Sequence, residues 1–599
     1  MKQLEWLGRA SLVALGSVAW TAAAAPGPGA ADGAAPSSSA QVSDARLAER
    51  IYHPVASWRL SGAEGDAGLA KAIAELRRLK ALGFTGVVLR NEPQLALPGI
   101  LGDAAYRARL RQLGEKAARL GIDVIPHVMN FGNGQSLLAH DPNLAEGFPV
   151  KDALFVVKGR EATLVPDLPL ALADPGFEAP EGNRFPGWMA NAGMEGKAVL
   201  SDTDVRHGGA SSVRFEVAAA PGPQNNVQLS QPLPLTPFRL YRLSIWIKSE
   251  GLDPKAEVTV ELQNGERRLH FGGLRAENIQ GVAPTQDWTR HVLVFNSLAG
   301  GTGSLGLRVR HSPQGKVWFD DLAVEEVGML NILRRPGCPL TVKGEDGTLY
   351  EEGRDFTPAK DPRLNRLHAW GGWSLSHEPP ALELTAGSRL REGQRLRVSF
   401  YHAVPVYGHQ VALCMSCPET YELFARGVKE LEELLRPVGY HINVGECRSA
   451  NWDADCQRKG LPLAQLLAWS VKERMRLIRE INPRARIYGW SDMLDPYHNA
   501  RDNYYLCNGT LVGGAEAAPK DLIILNWNIS SGGEGEEKAR SPRFFANLGY
   551  RQLLVNYGKP VREWLDGNPG VPGISGVYQF AFEEPEVFAG AVWGAGAKP

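Results

Sequence analysis

The sequence predicts an α/β protein in which a (β/α)8 barrel of TIM type is interrupted by an inserted antiparallel β-sandwich of the jelly-roll kind. Two stretches, 46–171 and 395–599, alternate helical and strand patterns, as a parallel sheet requires. Between them, 172–328 shows short strands separated by turn residues, which is typical of a sandwich. A doubly wound open sheet is the alternative, but it normally carries a glycine-rich turn after its first strand, and this sequence has none.

The first barrel stretch shows both periods clearly. Residues 68–82 place apolar side chains at helical spacing, and 84–89 form a β-branched run. A second helix is predicted over 104–120, followed by a strand over 122–126. Strand–helix–strand units of this length indicate neighbouring parallel strands.

The inserted segment alternates apolar and polar residues within short strands. Trp246 lies in the middle of one such strand among apolar neighbours, so we expect its side chain in the core. Residues 329–394 are expected to form a β-rich connector. The strand candidates in the insert are 212–217, 241–248, 257–262, 291–295, 305–309 and 316–325.

The second barrel stretch supplies most of the remaining strands, with helices predicted over 418–436 and 463–481. With a weak candidate at 51–55, the chain offers nine strand candidates for eight barrel positions, so either 51–55 or 396–401 lies outside the barrel. The candidates in this stretch are 396–401, 440–444, 485–490, 522–527, 552–556 and 573–579.

The first residues have the pattern of an export signal. Lys2 and Arg9 precede a mostly apolar run that ends in small residues. We therefore expect a signal peptide over 1–25, with cleavage near Ala24, and a flexible linker over 26–45, which makes the protein secreted or periplasmic. The apolar run is too short for a membrane anchor, and no later run is long and apolar enough to be a transmembrane segment.

Composition argues against several partners. The formal net charge is −1, without a basic stripe or an acidic tail, so nothing indicates binding to nucleic acid.

Among six cysteines, Cys414 and Cys417 form a single C-x-x-C pair, with no second pair or histidines at zinc-ligand spacing. A disulfide between Cys447 and Cys456, or simple buried thiols, is expected instead.

Polar and aromatic side chains follow the predicted barrel strands at their carboxyl ends, where barrels of this type hold their sites. Rings suit the C–H faces of sugars and amides suit their hydroxyls, so a carbohydrate or glycan is the predicted partner. Packing alone would explain one such tryptophan, but several at successive strand ends favour a pocket. The predicted substrate-binding residues are Asn130, Trp490, Asn526, Trp527, Tyr557, Tyr578 and Trp593.

Glu446 is the predicted general acid. Its strand ends in Gly445-Glu446, which directs a carboxyl group to the end of the barrel, where partial burial raises its pKa. A salt bridge with Arg448 is the alternative role. Asp492 follows a strand-end tryptophan and is predicted either to steer the nucleophile as the second catalytic residue or to hold a sugar hydroxyl.

Several of these segments resemble glycoside hydrolase family 20, the β-N-acetylhexosaminidases, and its relatives. The sequence HINVGE at 441–446 is similar to the family's acid-bearing strand, and Trp490, Trp527 and Trp593 match its pocket tryptophans. The resemblance implies an exo-acting glycosidase on hexosaminides. Residues 122–126, 134–138 and 141–144 are similar to the family's third strand and the loop that follows it.

The chain departs from that family at two positions. The family's acid directly follows an aspartate that orients the acetamido group of the substrate, and this sequence has Gly445 there. The family's acidic residue after the third-strand proline is His127 in this chain. Substrate-assisted cleavage therefore does not follow from the resemblance.

The insert resembles jelly-roll carbohydrate-binding modules. It opens with DPGFE at 174–178 and closes with VWFDDL at 317–322. This resemblance implies a structural calcium ion held by Glu178 together with Asp320 or Asp321, and surface carboxylates without an ion are the alternative.

Three classes of function follow. The first is an exported, exo-acting glycoside hydrolase on a hexosaminide, N-acetylated or not, which needs no cofactor for catalysis. The second is a non-catalytic glycan-binding protein with a degenerate barrel, which Gly445 favours. The third is a structural cell-surface protein in which the sandwich only packs.

Overall fold

A computed structural model describes residues 44–594 of the chain with eleven gaps. The predicted signal peptide and most of the predicted linker lie outside the described residues, as does Tyr557. The gaps are 55–57, 90–102, 169, 221, 223–224, 271–280, 365–372, 408–409, 530–538, 557–560 and 581–582.

Eight parallel strands form a nearly closed barrel, consistent with a TIM-type fold. They are β1 (Glu49–His53), β2 (Gly86–Leu89), β3 (Asp123–Pro126), β4 (Gly439–His441), β5 (Arg486–Trp490), β6 (Ile523–Asn526), β7 (Gln552–Val555) and β8 (Ile574–Phe580). Their order in the sheet is β4-β5-β6-β7-β8-β1-β2-β3. His127, which follows β3, bridges to His441 in β4 and brings the two ends of this order together. The candidate at 51–55 is therefore a barrel strand.

Helices follow the strands on the outside of the barrel. In α2, Tyr106, Leu110 and Leu113 are buried at helical spacing, which turns one face towards the barrel. The carboxylate of Asp103 caps its first N–H groups, and Gly121, with φ of +64°, ends it. The helices are α1 (Gly65–Ala81), α2 (Ala104–Leu120), α3 (Pro418–Leu435), α4 (Leu463–Ile481), α5 (Gly514–Ala517), α6 (Arg540–Asn547), α7 (Val561–Gly567) and α8 (Pro585–Trp593).

Two five-stranded antiparallel sheets follow in the inserted segment and pack face to face. The first contains, in order, Gln286–Asn296, Leu240–Glu250, Lys316–Glu326, Ser212–Glu216 and Val199–Asp202. The second contains Arg267–Arg268, Glu257–Asn264, Thr302–Arg310, Val227–Pro234 and Met189–Ala190.

The position of Trp246 differs from the prediction. Ile245 and Ile247 are fully buried between the sheets, while Trp246 points to the other face and remains partly exposed. There its ring stacks on His207, with ring centroids 3.8 Å apart. The expectation of a core side chain was wrong because alternate residues of a strand face opposite sides of its sheet.

A third, six-stranded antiparallel sheet lies where the chain leaves and re-enters the barrel. Phe148–Lys158 pairs with Arg395–His402, so the candidate at 396–401 lies outside the barrel. The strand order is Leu349–Tyr350, Thr341–Gly344, Arg395–His402, Phe148–Lys158, Glu161–Leu164 and Leu382–Glu383.

Apolar side chains fill the barrel interior. Trp490, Trp527 and Phe580 are partly buried and pack against this cluster. The buried members of the cluster are Ile51, Val88, Ile125, Tyr488, Ile523, Leu525, Leu553, Val555 and Tyr578.

Among the described residues, no helix combines the length and the apolar composition needed to cross a bilayer.

Candidate functional site

The loop after β4 holds Glu446 in a constrained backbone conformation. Asn443 and Glu446 have φ of +38° and +49°, the left-handed region that non-glycine residues rarely adopt. The side chain of Asn443 accepts the N–H of Gly445 at 2.8 Å, and that of Asp492 accepts the N–H of Glu446 at 3.0 Å. From below, the buried Arg474 donates to the carbonyl of Asn443 at 3.0 Å. The loop is therefore held from several sides, as a preorganised site requires.

The carboxyl group of Glu446 lies at the carboxyl end of the barrel strands, which we call the barrel mouth. Its side chain is 31% exposed, and Oε1 lies 3.1 Å from Nη2 of Arg448. Burial raises the pKa of Glu446, Arg448 opposes this effect, and the negative charge of Asp492 adds to it, so that the pKa is raised from its usual value. Glu446 therefore holds a proton to a higher pH than an exposed glutamate does.

Arg448 is fixed in place by aromatic rings. Its guanidinium lies 4.6 Å from the ring centroid of Tyr407 and 5.0 Å from that of Tyr505, and it donates to the side chain of Gln410. The side chain is only 8% exposed. The predicted alternative role of Glu446, a salt bridge with Arg448, is thus present in the structure.

Asp492, at the end of β5, lies beside position 445. Its side chain is buried and accepts hydrogen bonds from the Glu446 backbone and from Nδ2 of Asn499, the latter at 2.9 Å. A Cβ atom added to Gly445 would lie 3.0 Å from Oδ1 of Asp492. The carboxylate of Asp492 therefore lies next to the space that a side chain at position 445 would occupy.

Three histidines line the floor of the mouth. The rings of His127 and His441 are stacked with centroids 4.5 Å apart, and His53 lies 6.1 Å from His127 and 6.4 Å from His441. His53 Nδ1 lies 2.5 Å from the hydroxyl of Tyr578. Burial and the two neighbouring histidines lower the pKa of His441 well below its usual range, so this ring is neutral.

Aromatic rings surround this floor. The ring centroid of Trp490 lies 4.9 Å from that of His441, 5.4 Å from that of Tyr578 and 6.1 Å from that of Phe580. Trp527 packs edge-on against His498 at 4.4 Å. The structure thus places Trp490 and Trp527 at the barrel mouth, whereas Tyr578 is buried in the barrel interior with its hydroxyl beside His53.

Other predicted binding residues serve the protein itself. Asn526 is fully buried and donates to Ser541 and Gln552, both at 3.0 Å. The Oδ1 atom of Asn130 accepts the N–H of Asn133 at 3.0 Å, which shapes the loop after β3. These contacts use the amide groups within the protein.

Trp593 is not brought to the mouth. It ends α8, its Nε1 donates to the carbonyl of Leu82 at 2.9 Å, and its ring packs on Phe84 at 5.0 Å. Leu82 and Phe84 precede β2, so Trp593 lies at the opposite, amino end of the barrel strands.

The histidines are the part of this site that sequence reasoning missed. His53 and His441 are the last residues of β1 and β4, and His127 directly follows β3. Their positions at the ends of three barrel strands are the feature of the sequence from which these histidines could have been predicted. The burial of Arg474 could not have been predicted, because an arginine in the sequence of an amphipathic helix is expected on its exposed face.

The predicted calcium ligands in the sandwich contact N–H groups. Oδ2 of Asp320 accepts the backbone N–H of His207 at 2.7 Å and that of Gly208 at 3.2 Å, and Glu178 accepts that of Ala210. Asp321 pairs with the ring of His207 at 2.6 Å. Calcium takes six to eight oxygen ligands, and the ion stays a prediction of the resemblance.

The cysteines are buried thiols, as one of the two expectations states. The expected disulfide between Cys447 and Cys456 is absent. Sγ of Cys447 donates to the carbonyl of Ser449 at 3.3 Å, while Sγ of Cys456 lies 3.6 Å from that of Cys414.

No protein-family model and no curated protein matches the chain. Among solved structures, TmCBM61 in complex with β-1,4-galactotriose is 18% identical and matches 26% of this chain and 99% of its own, with a TM-score of 0.20. The rhamnosidase from Novosphingobium sp. PP1Y is 11% identical over 86% of this chain and 55% of its own, with a TM-score of 0.25. The GH20 β-N-acetylhexosaminidase from Streptomyces coelicolor A3(2) is 13% identical over 31% and 40%, with a TM-score of 0.21.

Proposed function

We propose that the barrel mouth is the active site of an exported glycoside hydrolase that removes terminal hexosamine units, N-acetylated or free. The observation that carries this proposal is the half-buried Glu446 carboxyl, whose pKa is raised and whose backbone N–H is held by a second carboxylate, Asp492, at the end of the neighbouring strand. A proton donor and a carboxylate at one site are what glycosidic bond cleavage requires.

In this mechanism Glu446 donates its proton to the oxygen of the leaving group. Asp492, from the neighbouring strand, supplies the negative charge that Gly445 cannot. It either orients the acetamido group of the substrate or activates a water molecule. Neither step needs a cofactor.

The aromatic rings would bind the sugar. Trp490 and Trp527 are partly exposed at the mouth, so each offers a ring surface to the C–H face of a pyranose. The neutral His441 beneath them adds no charge to the floor. A ring-lined pocket with two carboxylates at one side suits a pyranose whose ring stacks on the tryptophans.

A glycan-binding protein without turnover is the second candidate. The ion pair with Arg448 favours the ionised form of Glu446, and Asp492 accepts two N–H groups of the protein. If both carboxylates serve only to hold the loop, the mouth binds sugar and cleaves nothing.

The test is turnover of a panel of aryl glycosides by the full chain, with Glu446→Gln as the variant. The amide keeps the size of the side chain but carries no transferable proton, so kcat should fall about 100- to 10,000-fold while binding is kept. Glu422→Gln, at an exposed position on α3, is the matched control and should retain activity.

Binding of aminosugar glycans without turnover would favour the second candidate, and neither binding nor turnover would overturn both. Export is tested separately by sequencing the amino terminus of the mature protein, which should begin near Pro26.

A further inference from the structure

A buried cluster of two thiols and two carboxylates lies outside the barrel mouth. Its members are Glu146, Cys414, Asp453 and Cys456, all of them buried. The candidate ligand atoms, one from each residue, lie within 4.8 Å of one another.

Backbone pairing explains how distant parts of the chain meet there. Segment 144–146 runs antiparallel to 412–414: Glu146 donates its N–H to the carbonyl of Ala412 at 2.8 Å, and Cys414 donates to that of Leu144 at 2.9 Å. Asp453 caps the helix Ala454–Arg458, where its Oδ1 accepts the N–H of Cys456 at 3.0 Å. Three segments therefore place their side chains in one small volume.

The separations match those between ligands of one tetrahedral metal ion. The two sulfur atoms are 3.6 Å apart, and Oε2 of Glu146 lies 3.6 Å from Sγ of Cys456. With zinc–sulfur bonds of about 2.3 Å and zinc–oxygen bonds of about 2.0 Å, tetrahedral geometry places two sulfurs about 3.7 Å apart, and sulfur and oxygen about 3.5 Å apart. A disulfide would instead bring the sulfurs to about 2.05 Å.

The two carboxylates of the cluster have different partners. Arg335 pairs with Asp453 at 2.6 Å and with Asp455 outside the cluster, so one guanidinium serves two carboxylates. Glu146 has N–H donors, from Trp452 at 2.6 Å and Asp453 at 3.3 Å, but no ion pair among the described residues. Among the described residues, Oε2 of Glu146 is approached by the thiol of Cys456, and Oδ1 of Asp453 accepts one N–H group, so each carboxylate keeps one oxygen with a lone pair for a metal.

We propose that Glu146, Cys414, Asp453 and Cys456 bind a structural zinc ion. The site is closed, with four protein ligands and no open position, as structural zinc sites are. Zinc binding releases the protons of the two thiols, whose thiolate charges offset that of the ion, and the remaining negative charge of the carboxylates is offset in part by Arg335. The ion would join the loop after β3, the segment before α3 and the segment that follows Glu446, independently of any activity at the mouth.

The first test measures metal in the full chain, purified without chelators, by elemental analysis. About one zinc per chain is expected, together with six alkylatable thiols after denaturation. Cobalt added to the chelator-treated protein should give the near-ultraviolet absorption of thiolate-to-cobalt charge transfer. Four alkylatable thiols, with Cys414 joined to Cys456, would overturn the proposal, and so would six thiols with no zinc or cobalt bound.

The second test uses variants with Cys507→Ser as the matched control, since Cys507 is a buried thiol outside the cluster. Cys414→Ser and Cys456→Ser should each weaken zinc binding more than about 100-fold, while the control retains it. Should either variant fail to fold, the metal content and thiol count of the unmodified protein still decide the question.

Discussion

At the scale of single residues, the site depends on how Arg448 and Asp492 act on Glu446. Arg448 favours the ionised carboxylate, whereas burial and Asp492 favour the protonated acid. Burial is the largest of these influences, which is why the pKa is raised although an arginine lies 3.1 Å away. Because Arg448 and Asp492 contact different atoms of Glu446, the effect of each residue can be tested by its own variant.

Replacing Arg448 should shift the pH profile. A general acid works while protonated, so activity is lost as pH rises through the pKa of Glu446. Arg448→Gln removes the charge that lowers this pKa, and the basic limb of kcat/KM should move to higher pH. The profile of the unmodified chain on the same substrate is the reference. An unchanged basic limb would show that Glu446 is not the titrating acid.

Replacing Asp492 by asparagine separates charge from anchoring. The amide oxygen still accepts the N–H of Glu446, so the loop should remain in place while the negative charge is lost. We expect kcat to fall on the order of 100-fold, with an unchanged unfolding temperature. Full activity would assign Asp492 to anchoring alone.

At the scale of elements, the loop after β3 supports the loop after β4. A Cβ atom added to Gly132 would lie 2.4 Å from the carbonyl oxygen of Glu446 and 2.8 Å from the backbone nitrogen of Cys447. Glycine is required here because two backbones approach closely. The loop that contains the predicted Asn130 therefore acts on the acid through its backbone.

Gly132→Ala should displace Glu446. Because the added methyl group meets backbone, we expect about 1–3 kcal/mol of destabilisation and a marked loss of kcat. Gly570→Ala is the matched control, since a Cβ atom there meets no atom within 4 Å. Thermal unfolding and turnover of both variants provide the measurement, and equal behaviour of the two would contradict this account.

At the scale of the whole molecule, buried neutral histidines couple folding to pH. His402 and His291 are almost fully buried, and burial lowers their pKa from 6.5 to about 3 and about 4, respectively. Between these values and 6.5 the unfolded chain binds protons that the native chain does not, so stability falls as pH falls.

The unfolding temperature should therefore decrease from pH 7 towards pH 4, and His402→Gln should make this decrease shallower. Glutamine can still accept the amide N–H of Asn296, which contacts Nε2 of His402 at 2.9 Å. Calorimetry at several pH values measures the effect. The same slope in both proteins would mean that His402 does not contribute.

Periodicity in the sequence was sufficient to predict an α/β chain with parallel strands and an antiparallel insert, because strand and helix periods are local properties. The position of Glu446 was predicted in the same way, because it follows the strand β4 and strand ends meet at one side of a barrel. Trp490 and Trp527 lie at the mouth, where this rule predicts them, whereas Tyr578 is buried in the barrel interior.

Only the tertiary structure decided which strands belong to the barrel. Arg395–His402 alternates buried and partly exposed residues, as in a sheet with one covered face, whereas β2 and β6 are buried throughout. It also placed Trp593 at the amino end, since the helix after β8 returns there. Glu146 and Cys456, 310 positions apart, meet through tertiary contacts that no local pattern encodes. Local sequence determines the period of each element, but which elements become neighbours depends on packing of the whole chain.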